Sequence, residues 1–64
     1  MKKDDNIILL EPVVAIGSFG AEYLRKGTLG VFICENENMA EITIRQDLFY
    51  VPLPSIALAI DAAA

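Results

Sequence analysis

The stretch Leu29-Gly30-Val31-Phe32-Ile33-Cys34-Glu35-Asn36-Glu37-Asn38-Met39-Ala40-Glu41-Ile42-Thr43-Ile44-Arg45 decides the fold class. From Leu29 to Cys34 it is an unbroken apolar run with a glycine inside it. Glu35-Asn36-Glu37-Asn38 then reads as a turn, because asparagine tolerates the left-handed backbone that tight turns need. Beyond it Ala40, Ile42 and Ile44 alternate with Glu41, Thr43 and Arg45. That period of two belongs to a strand with one dry face and one wet face. The expectation is a β-hairpin, 29–34 against 39–45, with its first strand buried on both faces and its second on one. Gly30 within a strand marks a bulge or a close backbone approach.

Working outward, Ile7 to Leu10 and Val13 to Ile16 are rich in Ile, Val and Leu, which favours strand. Pro12 between them cannot donate a ladder hydrogen bond, so it marks a bulge, a bend or an edge. Gly17-Ser18-Phe19-Gly20 is a loop by its glycines. Ala21 to Lys26 has room for one helical turn, too short to stand alone. On the far side of the hairpin, Gln46-Asp47 makes a turn and Leu48 to Val51 a short strand. Pro52-Leu53-Pro54-Ser55 then bends the chain. Ile56, Leu58 and Ile60 alternate with alanines, which fits a last strand; a short helix capped by Ser55 is the competing reading of 56–61. Residues 1–5 and 62–64 read as frayed tails around one small β domain, 6–61.

A chain of 64 residues is one domain at most, and a domain this small buries only ~60% of its unfolded surface. Its stability is marginal without the usual help of disulfides, a metal or self-association, and with the first two removed a compact core, an oligomer or both are left. Cys34 is the only cysteine and there is no histidine, so an internal disulfide and a Cys/His metal site are both excluded. The 55% hydrophobic content exceeds the ~45–50% usual in soluble domains, so some apolar surface is expected to meet a partner or another copy. The apolar residues nowhere run long enough to span a membrane. Ile7–Leu10, closed by Glu11-Pro12, is too short for a signal-peptide core, so the expected location is cytoplasmic. Nine acids against five bases give a net charge of −4, which speaks against direct nucleic-acid binding.

The segment Phe49-Tyr50-Val51-Pro52-Leu53-Pro54-Ser55-Ile56 resembles the way SH3-like barrels end, where a strand breaks into one tight helical turn before the closing strand. Lys26-Gly27-Thr28-Leu29-Gly30-Val31 is similar to the glycine-containing lead-in to the central hairpin of several bacterial SH3-like families. The resemblance implies an all-β fold: a small five-stranded SH3-like barrel with one short helical turn, presenting loops and edges to partners. Eukaryotic SH3 domains carry a tryptophan in an aromatic groove for proline-rich ligands. This chain has no tryptophan, so the resemblance carries over no peptide site and no catalytic residue.

No catalytic pair, metal-ligand set or cofactor motif is visible. Tyr23, Phe49 and Tyr50 are interface candidates, since tyrosine joins a large apolar body to a polar tip; ordinary partly buried aromatics are the equal alternative. Phe49 and Tyr50 are adjacent, so on a strand they face opposite ways. Glu35 and Glu37 add an acidic hairpin tip to the same docking set. As calcium ligands, Glu35, Glu37 and Glu41 lack the EF-hand spacing. Arg25, Lys26 and Gly27 form a turn where backbone amides and two bases suit an anion, although the phosphate-loop ending is missing. Cys34 reads as a buried structural thiol, with Glu35 beside it.

Three functions follow as expectations. The first is a non-enzymatic protein-binding module, homo-oligomeric, docking through exposed aromatics and the acidic hairpin. The second is a phage or mobile-element inhibitor of a host enzyme or defence system, its acids meeting a basic groove. The third is a small-molecule or anion binder with its pocket at a subunit interface.

Overall fold

The computed structural model describes residues 1–60. It is mainly β, with strands β1 (Asn6–Leu9), β2 (Val13–Gly17), β3 (Gly20–Leu24), β4 (Leu29–Asn36), β5 (Met39–Ile44), β6 (Asp47–Pro52) and β7 (Ile56–Leu58). A single 3₁₀ turn, Leu53–Ser55, joins β6 to β7. All pairings are antiparallel and form one sheet in the order β3-β2-β6-β5-β4-β1-β7. The sheet is open, with β3 and β7 at its edges, so the expected closed five-stranded barrel does not form. It curls instead. Leu24 from one edge strand and Ile56 from the other join the same core cluster as Ile7, Leu9, Phe32, Ile42, Phe49 and Val51.

The strands beyond five arise at one place, where 13–16, expected as strand, is separate from β1 and gains a hairpin partner. Gly17-Ser18-Phe19-Gly20 is the turn of a hairpin, and 21–24, expected as a helical turn, is its returning strand β3. Gly20 carries the positive φ of this turn (φ 108). Five paired positions, from Val13 opposite Leu24 to Gly17 opposite Gly20, outweigh the weak helical preference of a short stretch.

The hairpin that decided the fold class is present as β4 and β5, and its second strand alternates dry and wet as expected. Its turn is tighter than read, because β4 runs on to Asn36 and only Glu37 and Asn38 turn, at φ 51 and 70. β4 is not buried on both faces: Phe32 is its one buried residue, while Leu29 and Cys34 are exposed. Gly30 does mark a close approach. A Cβ there would lie 2.9 Å from the Thr43 carbonyl oxygen and 3.2 Å from Ile44 Cγ1. The bulge falls later, where Phe32 pairs with Ile42 but Cys34 with Glu41, leaving Ile33 as the extra residue.

The next turn is Arg45-Gln46 rather than Gln46-Asp47, since Asp47 already pairs with Ile44. The prolyl bend is the 3₁₀ turn, and 56–58 is strand. Helical backbone begins at 59–60, and the rest of that segment, with the expected tail 62–64, lies outside the described residues. Residues 1–5 are not free. The Asp4 amide donates to the Phe32 carbonyl at 2.7 Å, the Phe32 amide donates to the Asp5 carbonyl at 2.8 Å, and the Lys2 amide donates to the Asp5 carboxylate at 2.7 Å. The two bonds to Phe32 prolong the β1–β4 ladder towards the N-terminus.

Two predictions follow from the backbone. Arg45 and Gln46 both hold positive φ (52 and 73) without a glycine or asparagine between them. Each non-glycine residue in that region costs ~1–2 kcal/mol, and Asn-Gly is the favoured occupant of such a two-residue turn. The double substitution Arg45→Asn/Gln46→Gly should therefore stabilise the domain by ~1 kcal/mol, read as a Tm rise of roughly 4–8 °C. Gly30→Ala should do the opposite. Backbone and Ile44 must give way to the new Cβ, at a cost of ~1–3 kcal/mol by urea denaturation.

Candidate functional site

Because successive side chains on a strand face opposite ways, the register assigns each residue to the core or to the outside. Ala15 of β2 points inward and is buried; its neighbours Val14 and Ile16 point outward and are exposed. Tyr23 lies opposite Val14, and Ala21 opposite Ile16, so both belong to the same outer face. On its other side Ile16 lies opposite Tyr50 of β6. Tyr50 in turn faces Glu41 of β5, and two residues along, Pro52 faces Met39. An apolar face therefore crosses β3, β2 and β6 and, past Pro52, reaches the first residue of the otherwise polar outer side of β5; it is built on Val14, Ile16, Tyr23, Tyr50 and Met39. Each of these five is among the exposed large hydrophobics.

The packing that fixes this face lies beneath it. Gly17 pairs with Phe49, and a Cβ on Gly17 would fall 2.6 Å from the Phe49 ring. The bare glycine thus lets the ring pass under β2 into the core, where Phe49 is only 3% exposed. Its neighbour Tyr50 must then face out. Of the adjacent aromatics, Phe49 is core and unavailable for docking, and Tyr50 is on the surface.

Tyr23 and Tyr50 are brought onto one face, with the two β2 residues between them. Glu35 and Glu37 do not join them. Glu37 sits in the β4–β5 turn, and Glu35 lies opposite buried Ala40, on the other side of the sheet from Glu41. Glu41 borders Tyr50 instead. Among the described residues, no three acidic or cysteine side chains converge as a metal-holding group.

Four residues with a part in the surface were not singled out from sequence. Val14 and Ile16 were hidden in an unbroken apolar run, which reads as buried on both sides. Phe19, 95% exposed at the tip of the β2–β3 hairpin, was flanked by turn glycines, and that flanking was the available signal. Arg45 is the fourth. It shares with Arg25, Tyr23 and Leu29 the lining of an open groove of about 440 Å³.

The Arg25-Lys26-Gly27 turn does form, with Gly27 at φ 87. Two amides at its C-terminal end are committed within the chain. The Gly27 amide donates to the Leu9 carbonyl at 2.9 Å and the Thr28 amide to the Arg25 carbonyl at 3.2 Å, while Thr28 Oγ1 donates to that same carbonyl at 2.6 Å. Neither of these two amides is left to cradle an anion, while the Arg25 and Lys26 side chains are exposed.

Cys34 is exposed, against the expectation of a buried thiol, because the bulge at Ile33 turns it to the outer side opposite Glu41. Local desolvation, then the hydrogen bond and negative charge of Glu41, push its pKa upward. A raised pKa keeps the thiol protonated at neutral pH, and the thiolate is the nucleophile. Among the described residues, no helix is long and apolar enough to cross a membrane. No protein-family model, curated protein or solved structure matches the chain.

The Glu41–Cys34 pair yields a direct test. Glu41→Gln removes the negative charge, so the thiol should ionise at lower pH and its alkylation by iodoacetamide at pH 7.5 should accelerate. The rate–pH profile should shift to lower pH. A profile identical to that of the unmodified chain would assign the perturbation to desolvation alone.

Proposed function

We propose that this chain is a non-enzymatic protein-binding module whose working surface is the outer face of β3, β2, β6 and β5. The observation that carries the reading is the unbroken run of exposed apolar side chains from Tyr23 through Val14 and Ile16 to Tyr50. Scattered exposed apolar residues are ordinary, but a contiguous patch held flat on paired strands is the form that docking surfaces take. Burying a Val, Ile or Tyr-sized side chain is worth ~1.5–3 kcal/mol, so a few such residues supply the centre of an interface. Glu41 at the border adds an acidic rim, which favours partners with bases around an apolar centre.

The order of elements supports an SH3-like layout as the scaffold for this role. A first strand is followed by the projecting β2–β3 hairpin, then by a three-strand meander, a 3₁₀ turn and a short last strand. In this reading the projecting hairpin carries Phe19 at its tip, placed to enter a pocket on the partner.

A photo-reactive residue substituted at Ile16 or Tyr50 should cross-link to a discrete protein in extracts of the source cell. The same residue at Lys3, away from the face, should not. Ile16→Asp should abolish capture while leaving the melting temperature within ~4 °C, because the position is exposed and exposed substitutions are usually within ±0.5 kcal/mol. Equal cross-linking from the face and from Lys3 would sink the proposal.

A further inference from the structure

The groove that Arg25 and Arg45 share is built from parts that lie apart in the sheet. One wall is residues 22–25, four in a row. Side chains on a strand alternate, so consecutive residues line one wall where the strand presents its edge rather than a face. β3 is an edge of the sheet, and Gly20 to Tyr23 are exposed. Such an edge presents N–H and C=O groups without a ladder partner and is a template for another strand. The opposite wall is Leu29, at the start of β4, with Ile44 and Arg45, at the end of β5 and in the turn after it. In the sheet, β2 and β6 separate β3 from β5, so the curl of the sheet brings the two walls together across its open seam.

The charge of this groove runs against that of the chain. The net charge is −4, yet two of the five bases line the groove, Arg25 just past the end of β3 and Arg45 in the β5–β6 turn. Among the described lining residues Glu22 is the only acid. It lies opposite buried Ala15, so its side chain shares the side of Leu24 and not that of Tyr23. Tyr23 and Leu29, both more than half exposed, add apolar surface to the two walls. Arg45 carries a second mark. It holds φ 52 and is followed by Gln46 at φ 73, where Asn-Gly would sit without strain. Backbone strain gathers at positions where a side chain is needed for function. The relaxed pair would present no guanidinium to the groove.

We propose that this groove binds an extended acidic peptide segment of another protein, added as a strand to the edge of β3, with its carboxylates held by Arg25 and Arg45 and its apolar side chains against Tyr23 and Leu29. The free edge calls for a peptide rather than a small anion, because it offers main-chain hydrogen bonds along a strand. The two guanidinium groups call for acids, since each can fork onto a carboxylate with two parallel hydrogen bonds. The site goes beyond the outer face built on Ile16 and Tyr50 and shares only Tyr23 with it. Peptide binding is measured with the purified chain alone, so its failure is distinct from a failure of cross-linking in cell extracts.

Fluorescence anisotropy tests it with three labelled probes: an end-capped octapeptide alternating glutamate and valine, the same peptide with lysine for glutamate, and a single-stranded DNA oligonucleotide of equal length. The acidic peptide should bind at least tenfold more tightly than either of the others, and more weakly as salt is raised, because exposed charges are screened. Arg25→Gln/Arg45→Gln should lose at least tenfold in affinity for it; both positions are exposed, and thermal melts check that the variant folds. Arg45→Asn/Gln46→Gly should separate two properties, melting higher than the native chain and binding the acidic peptide more weakly. Amide exchange across β3 in the native chain should slow when the peptide is bound, a measurement that needs no variant. No binding of the acidic peptide, equal binding of all three probes, an unaffected double-glutamine variant, or binding without protection of β3 would each overturn the proposal. Self-association of the native chain that the double-glutamine variant loses would overturn it too, by making the occupant a second copy.

Discussion

Gly30 lies where β1, β4 and β5 crowd together, and the rest of the fold is arranged around the side chain it lacks. A Cβ at this point would contact the Thr43 carbonyl oxygen of β5 and the Ile44 side chain, with Ile7 of β1 at 3.4 Å. The early part of β4 pairs with β1 and the later part with β5, so this strand joins the two parts of the sheet. Close approach at Gly30 lets the sheet bend sharply enough for both ends to reach one core. The bulge at Ile33 adds twist a few residues later. With one cysteine and no histidine, the chain has no covalent or Cys/His metal staple, and curvature of a single sheet is its route to an interior.

That route leaves a surface cost. A sheet with one core has one dry face, and every strand has a second side. On β5 the second side carries Glu41 and Thr43, residues suited to water. On β2 it carries Val14 and Ile16. The difference is what sets the β2–β3 hairpin apart from the rest of the sheet. Its tip repeats the pattern, because a phenylalanine that is almost wholly exposed contributes nothing to the core of its own chain. The 3₁₀ turn shows the contrasting treatment of a structural site. The Leu53 amide donates to the Asn38 carbonyl at 2.9 Å, the Leu10 amide donates to the Ser55 carbonyl at 2.8 Å, and buried Ser55 donates its hydroxyl to the Glu11 carboxylate at 2.9 Å. Polar groups there are paired, and apolar groups on the hairpin are left open.

Much of the fold was legible in the residues. Alternation over 40–45 places β5, the glycine at 30 announces the crossing, and the two prolines at 52 and 54 announce the turn before the last strand. The misreadings share one cause. A short segment flanked by glycines has little local preference, and 21–24 becomes a strand only because β2 lies beside it. Long-range pairing of that kind carries no local signal. The same limit applies to the face. An unbroken run such as Val13-Val14-Ala15-Ile16 says only that the segment is apolar, and which of its sides is covered depends on the order of strands in the sheet. Tyr23 and Tyr50 were identifiable as residue types, yet their common face appears only once β2 is known to lie between β3 and β6. Phe49 could be separated from Tyr50 only by knowing that Gly17 sits over its ring.

Edge and face bear on each other. An edge strand with an apolar outer side is doubly incomplete, because it lacks both a hydrogen-bonding neighbour and a cover. β7 escapes this by being short, and its residues Ile56 to Leu58 are buried or half-buried. β3 has neither protection, and only Glu22 distinguishes it from an aggregation-prone edge. A single acid on an open strand blocks most neighbours by leaving a charge without a complement.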